Sequence, residues 1–98
     1  MAFHVTPATL AEIDSILRYL KQESPKAAQR FDARLHEVFR SIEAHPLAGR
    51  RTNKPKLRLV NTHPYPYLVF YRLRGADIDI VAVRHGARNP RGMPARPR

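Results

Sequence analysis

Residues 24–46 read SPKAAQRFDARLHEVFRSIEAHP, and this stretch decides how the chain folds. Ser24 is a good N-cap, worth about 1 kcal/mol, and Pro25 suits the first helical position, where its missing N–H would have no partner anyway. Apolar residues then recur at Ala28, Phe31, Leu35, Val38, Phe39 and Ile42. Spacings of three and four place them on one helical face. Lys26, Gln29, Arg30, Asp32, Arg34, His36, Glu37, Arg40 and Glu43 lie between them, with both signs mixed as on a solvated face. The pattern predicts a helix over 25–44 that stops before Pro46.

Working toward the N-terminus, Leu10, Ile13, Leu17 and Leu20, with Ile16 alongside, form a second helical face. They predict a helix over 8–22, capped by Thr6 or Thr9. Only two or three residues separate the two helices, so they form an antiparallel hairpin. A short strand over 2–6 precedes them and ends at Pro7, which cannot donate to a sheet ladder.

Toward the C-terminus, residues 45–56 have the composition of a loop, with four bases and no acid. Strands follow at 57–61, 67–73 and 78–85. The middle strand is apolar on both faces and belongs in the centre of the sheet. Gly75-Ala76-Asp77 sits where a tight hairpin turn is needed. Along the last strand, alternation puts Ile78, Ile80 and Ala82 on one face and Asp79, Val81 and Val83 on the other. Residues 86–98, rich in Pro and Arg, are expected to form a mobile basic tail without a core of its own. The expected fold is α+β, in the order β-α-α-β-β-β, with a helical hairpin packed on an antiparallel sheet. Residues 1–85 form the single domain.

The charge is divided as sharply as the elements. Residues 1–49 carry six bases and six acids, whereas residues 50–98 carry twelve bases against Asp77 and Asp79, so the whole net charge of +10 lies in the second half. Such a half is built to meet something anionic. The chain has no cysteine, so it has no disulfide framework and no thiolate metal site. His4, His36, His45 and His63 are scattered singly, and neither a metal site nor a cofactor is expected. No apolar run approaches the roughly 20 residues that span a bilayer. Neither helix has the basic polar face of a membrane-surface helix. These features point to a cytoplasmic protein with no membrane role.

The order and punctuation resemble the RelE/ParE superfamily of type II toxin–antitoxin toxins, and in particular its ParE-like branch. The likeness is carried by Ala11-Glu12-Ile13-Asp14-Ser15-Ile16, by Ser24-Pro25-Lys26-Ala27-Ala28, and by His45-Pro46-Leu47-Ala48-Gly49-Arg50. It continues in Leu57-Arg58, Tyr67-Leu68-Val69-Phe70-Tyr71-Arg72 and Val83-Arg84-His85-Gly86-Ala87-Arg88. The resemblance implies a compact toxin neutralised, in a hetero-oligomer, by a cognate antitoxin encoded beside it. ParE-like members poison DNA gyrase. RelE-like members are ribosome-dependent mRNA endonucleases.

The residues bear on that choice. RNA cleavage by 2′-hydroxyl attack needs a base, an acid and cations around the transition state. The cations are present, but His85 is the one acid/base candidate near them, and beyond it the chain has no Tyr, His, Asp or Glu. The C-terminal Tyr of RelE-like enzymes is therefore missing. The expectation is a gyrase-inhibiting toxin whose target contact uses Arg50, Arg51, Lys54, Lys56, Arg58, Arg72, Arg84 and Arg88. The nuclease alternative rests on His85, Arg84 and Arg58, and a third possibility is a non-toxic nucleic-acid-binding module. The bland reading of each feature stands beside these. His85 suits a hydrogen-bonded strand end, the run from Arg50 to Arg58 suits a solvated loop, and Tyr65, Tyr67 and Tyr71 suit sheet core positions.

Overall fold

The structure of the protein, a computed structural model, describes residues 2–87 and 93–97. The chain forms β1 (Phe3–Val5), α1 (Pro7–Glu23), α2 (Pro25–Ala44), β2 (Arg50–Arg51), β3 (Leu57–Thr62), β4 (Tyr65–Arg74) and β5 (Asp77–His85). The five strands make one sheet in the order β1-β5-β4-β3-β2, with β4 at its centre as its two apolar faces require. The helical hairpin packs on one face, which gives an α+β fold. Among the described residues, no helix is long and apolar enough to cross a membrane.

The punctuation of the sequence sets the helix ends. Thr6 caps α1, its hydroxyl accepting from the Thr9 N–H at 3.2 Å. Thr9 is itself fully buried and donates to the Ile80 carbonyl at 3.1 Å, which pins the first turn of α1 to β5. Ser24 alone joins the helices. Its N–H closes α1 on the Leu20 carbonyl, and its hydroxyl accepts from the Ala27 N–H to open α2. Pro25 makes the break unavoidable, since it has no N–H with which to continue the ladder of α1.

The predicted apolar stripe of α2 is the heart of the main core. Phe31, Leu35, Val38 and Ile42 pack against Tyr67, Val69 and Tyr71 of β4 and Ile78, Ile80 and Val83 of β5. Helix α1 adds Ile13, Ile16, Leu17 and Leu20, half-buried at the flank of this cluster. Burying one such side chain contributes roughly 1.5–3 kcal/mol, so this cluster supplies most of the driving force.

The structure departs from the sequence expectations in four places. First, the sheet is mixed. β1 runs parallel to β5, pairing Phe3 with Ile78 and Val5 with Ile80. Second, the loop after α2 contains the two-residue strand β2, antiparallel to β3, which returns the chain so that β3 starts from the same end as β1. Third, the alternation in β5 breaks. Phe70 pairs with Ala82 but Tyr71 pairs with Ile80, so Val81 is the extra residue of a bulge. A bulge shifts the side-chain phase by one. Ala82 therefore joins the outer face while Val83 turns toward the helices. Fourth, the described part of the tail is not loose. Ala95 is 6% exposed and packs with Leu57, Leu59, Phe70 and Ala82 in a second apolar cluster on the outer face, flanked by Met93. The composition argued against a core here, but one small buried residue suffices when the sheet supplies the rest. Arg88 lies outside the described residues.

Candidate functional site

The loop between α2 and β3 is anchored before it becomes cationic. The buried hydroxyl of Tyr71 donates to the Pro46 carbonyl at 2.7 Å and accepts from the Gly49 N–H at 3.0 Å. Glycine is required at position 49, because a Cβ there would lie 2.2 Å from the Tyr71 hydroxyl oxygen. Burial pushes the Tyr71 hydroxyl above its ordinary pKa, opposed by the Gly49 hydrogen bond and the charge of Arg58, so it remains a protonated donor at neutral pH. Arg58 reaches back from β3 and donates to the carbonyls of Leu47 and Gly49 at 3.0 and 2.9 Å. The segment His45-Pro46-Leu47-Ala48-Gly49-Arg50 is thus a fixed bridge from helix to sheet.

Beyond it, Thr52 organises the turn. Its buried hydroxyl lies 2.8 Å from the Leu57 carbonyl and accepts from the Lys54 N–H at 3.1 Å. Lys56 has φ +67°, a left-handed conformation uncommon for a residue with a side chain. It is enforced from the sheet, where the Leu73 N–H donates to the Lys56 carbonyl at 3.0 Å. The resulting hollow, of about 670 Å³, is lined by Arg51, Lys54, Lys56 and Arg58, with the apolar Leu57 and Leu73 also in the lining. No carboxylate among the described residues lines it. Among the described residues, Arg50, Arg51, Lys54 and Lys56 form no ion pair. Arg72 is exposed on β4 and lies in register with Asp79 on β5. Asp79 itself is committed to Arg74, whose hydrogen bond holds its carboxyl below the ordinary carboxylate value.

Arg84 and His85 are elsewhere. They line a second hollow, about 560 Å³, between α1 and the end of β5. Glu12 of α1 forms an ion pair with Arg84, and its other oxygen accepts from the Val83 N–H at 3.1 Å. His85 sets its ring edge-on to Tyr67 at 5.4 Å, and its Nδ1 accepts from the Ala87 N–H at 3.2 Å. The structure therefore gathers Arg51, Lys54, Lys56 and Arg58 into one site, sets Arg50 and Arg72 on neighbouring strands, and places Arg84 with His85 in the other. Arg58, Arg84 and His85, grouped by the nuclease alternative, do not line a common hollow. Three of these residues were not singled out by the sequence. Glu12 stood only within a stretch carrying the family likeness, one acid among six on the helices. Thr52 and Asn53 had the composition of a turn, which hinted at order but not at what they hold.

A neutral helical hairpin laid over a sheet with a cation-rich edge is what the chain brings to a comparison with known proteins, and that comparison gives its class, the toxins of type II toxin–antitoxin modules. Residues 3–90 match the family described as the ParE toxin of the type II toxin–antitoxin system parDE, and the chain belongs to that family. It is 35% identical over 79 residues to toxin RelE2 of Caulobacter vibrioides, an alignment spanning 81% of this chain and 88% of that one. A solved chain from the chromosomal ParDE system of P. aeruginosa shares the fold, with a TM-score of 0.74, 23% identity, and coverage of 87% of this chain and 95% of that one.

Proposed function

We propose that this toxin inhibits DNA gyrase through the cationic hollow and is held silent in the cytoplasm by a cognate antitoxin in a hetero-oligomer. One observation carries the proposal: Arg51, Lys54 and Lys56 face an open hollow in which, among the described residues, no carboxylate neutralises them. Like charges held together cost folding stability, and a waiting anionic partner accounts for that cost. Among the described residues the lining has no His, Tyr, Asp or Glu, which leaves the lysine ammonium groups as its candidates for proton transfer. A contact surface needs them only as charges, whereas RNA cleavage needs groups that exchange protons. The exposed apolar side chains of Leu10 and Tyr19 on α1 suit the docking of an amphipathic antitoxin segment, and an acidic stretch of the same partner would cover the hollow.

The second reading, a ribosome-dependent mRNA endonuclease, is favoured by the name of the Caulobacter relative. It would turn on His85, Arg84 and Arg58. The two readings separate on induction of the chain in cells lacking antitoxin. Gyrase inhibition predicts replication arrest with a DNA-damage response, and loss of supercoiling by purified gyrase. Abrupt loss of translation with cleaved mRNA, abolished in His85→Ala, would replace the first reading by the second.

A further inference from the structure

The C-terminal segment does more than cover the sheet, because it ends on the cationic loop. Apolar packing and backbone pairing hold it there. Ala95 and Met93 pack on Leu57, Leu59, Phe70 and Ala82 of the outer face. Pro97 bridges to Thr52 in an antiparallel sense. Asn53 and Arg96 hydrogen-bond reciprocally, the Asn53 N–H donating to the Arg96 carbonyl at 2.8 Å and the Arg96 N–H to Asn53 Oδ1 at 2.9 Å. We propose that Met93–Pro97 is a clasp that fixes the shape of the cationic loop, with Asn53 as its positioning residue.

The loop needs such a restraint. Four cations line a single hollow, and their mutual repulsion favours a splayed loop. Lys56 is held in a left-handed conformation that persists only where its surroundings enforce it. Within the loop itself, the bonds from the Thr52 hydroxyl and a long Leu57 N–H to Lys54 carbonyl bond of 3.3 Å are the internal ties. The clasp adds a tie from outside the loop, joining the backbone of the exposed Arg96 to Asn53 of the lining. It thereby couples two features separated by more than 40 residues, an apolar contact at the end of the chain and the geometry of the charges.

The clasp rests on the proposed role of the hollow only for its effect on toxicity, and the test separates the two. Hydrogen exchange is followed at the Asn53, Lys54 and Leu57 amides of the full chain, with Val69 and Tyr71 as core references. Asn53→Ala removes the acceptor for the Arg96 N–H and leaves every cation in place. Its expected effect is about fivefold faster exchange at the three loop amides with none at the core, the loss of one hydrogen bond. Ala95→Gln, which forces a larger polar group under the segment, gives at least as much. Asn53→Asp keeps an acceptor and restores wild-type protection. Growth inhibition falls in the two loosened variants while antitoxin binding persists. Wild-type exchange at the loop in both Asn53→Ala and Ala95→Gln overturns the clasp. Faster exchange with undiminished growth inhibition leaves the clasp standing and removes the hollow from the toxic contact.

Discussion

Arginine lines two hollows of this molecule, and the fold treats it differently in each. Between α1 and the end of β5, Glu12 neutralises Arg84 and uses its other oxygen on the Val83 N–H. Beside β2 and β3, Arg51, Lys54 and Lys56 face solvent with no carboxylate among the described residues of the lining, and Arg58 spends its donors on carbonyls rather than on an acid. Each arginine carries the same formal charge in either place, but the charge available to a partner differs. A cation beside a carboxylate presents a short-range dipole, whereas a group of like charges projects a field over a Debye length, roughly 8 Å at physiological salt. The lesson is that a basic sequence half identifies a surface only after its paired members have been removed. Arg84, adjacent in sequence to His85, drops out of the unpaired set, while Arg51, far from it, stays.

The comparison breaks most violently at its scaffold. Gly49→Ala puts a Cβ 2.2 Å from the Tyr71 oxygen, in a packed site where neither partner has room to yield. Overpacking adds to the loss of the Tyr71 hydrogen bonds, and the expected cost is about 3 kcal/mol or more, seen in urea denaturation as a lower midpoint. For a domain of this size, the fall in Tm exceeds about 10 °C. Tyr71→Phe costs less, about 1–3 kcal/mol, through the stranded Pro46 carbonyl and Gly49 N–H. The double variant is less destabilised than the sum of the two, because the nearest of the three atoms that the new methyl strikes is gone, while Cε1 and Cζ remain at 2.7 and 2.8 Å.

The contrast between the hollows sharpens when charge is removed from each. The triple variant Arg51→Ala, Lys54→Ala, Lys56→Ala is expected to lose about a hundredfold in target affinity, roughly 1 kcal/mol per cation, while the protein becomes equally or more stable as repulsion is relieved. Arg84→Ala reverses both signs, with little effect on target affinity and a measurable loss of stability, since Glu12 is left without its partner. Titration of purified gyrase and thermal unfolding check the two halves. A triple variant that still inhibits at wild-type concentration removes the hollow from the contact.

What the sequence shows of this molecule follows the range of the interactions. Both helices are legible because caps and apolar spacing act within a few residues; Ser24-Pro25 fixes a boundary to the residue. The centrality of β4 is legible because its apolar character on both faces needs no partner to be recognised. The bulge at Val81 is not, since β5 looks like a regular alternating strand and the extra residue exists only relative to β4. β2 is two residues long, too short for any period. The loop over 45–56 was legible as cationic by its four bases and lack of acids. The hollow's emptiness of carboxylate among the described residues was not, because that depends on where Asp77, Asp79 and Glu12 turn. Glu12 reaches a partner 71 positions away. The packed end of the tail was hidden by composition, since Ala95 acquires its apolar role from Leu57, Leu59, Phe70 and Ala82.

Glu12 offers a milder way to disturb the balance. Glu12→Gln keeps an acceptor for the Val83 N–H and removes the charge facing Arg84, so it isolates the ion pair. The side chains are partly exposed, which limits the loss to about 1 kcal/mol or less and makes it shrink with added salt. Glu12→Ala strands the edge N–H as well and costs about 1–2 kcal/mol. Equal losses in the two variants would assign the contribution to the hydrogen bond alone. The freed Arg84 then makes the second hollow resemble the first.

The smallest effect lies at Lys56, where charge and backbone strain coincide in one residue. At φ +67°, any side chain with a Cβ is strained by about 1–2 kcal/mol relative to a right-handed conformation. Lys56→Ala removes the cation and keeps the strain, whereas Lys56→Gly removes both. Their difference reports the backbone alone. Glycine loses part of the gain because its unfolded chain has more freedom, a cost of about 0.4–1 kcal/mol. The expected net is that Lys56→Gly is more stable than Lys56→Ala by up to about 1 kcal/mol, measured by denaturant midpoint at an unchanged slope. Both lose the same increment of target affinity if the lysine acts as a charge. If Lys56→Gly loses more affinity than Lys56→Ala despite its greater stability, the strained conformation itself positions the loop for its target. The left-handed residue then belongs to the cationic site as geometry as well as charge, a role that no residue of the neutralised hollow plays.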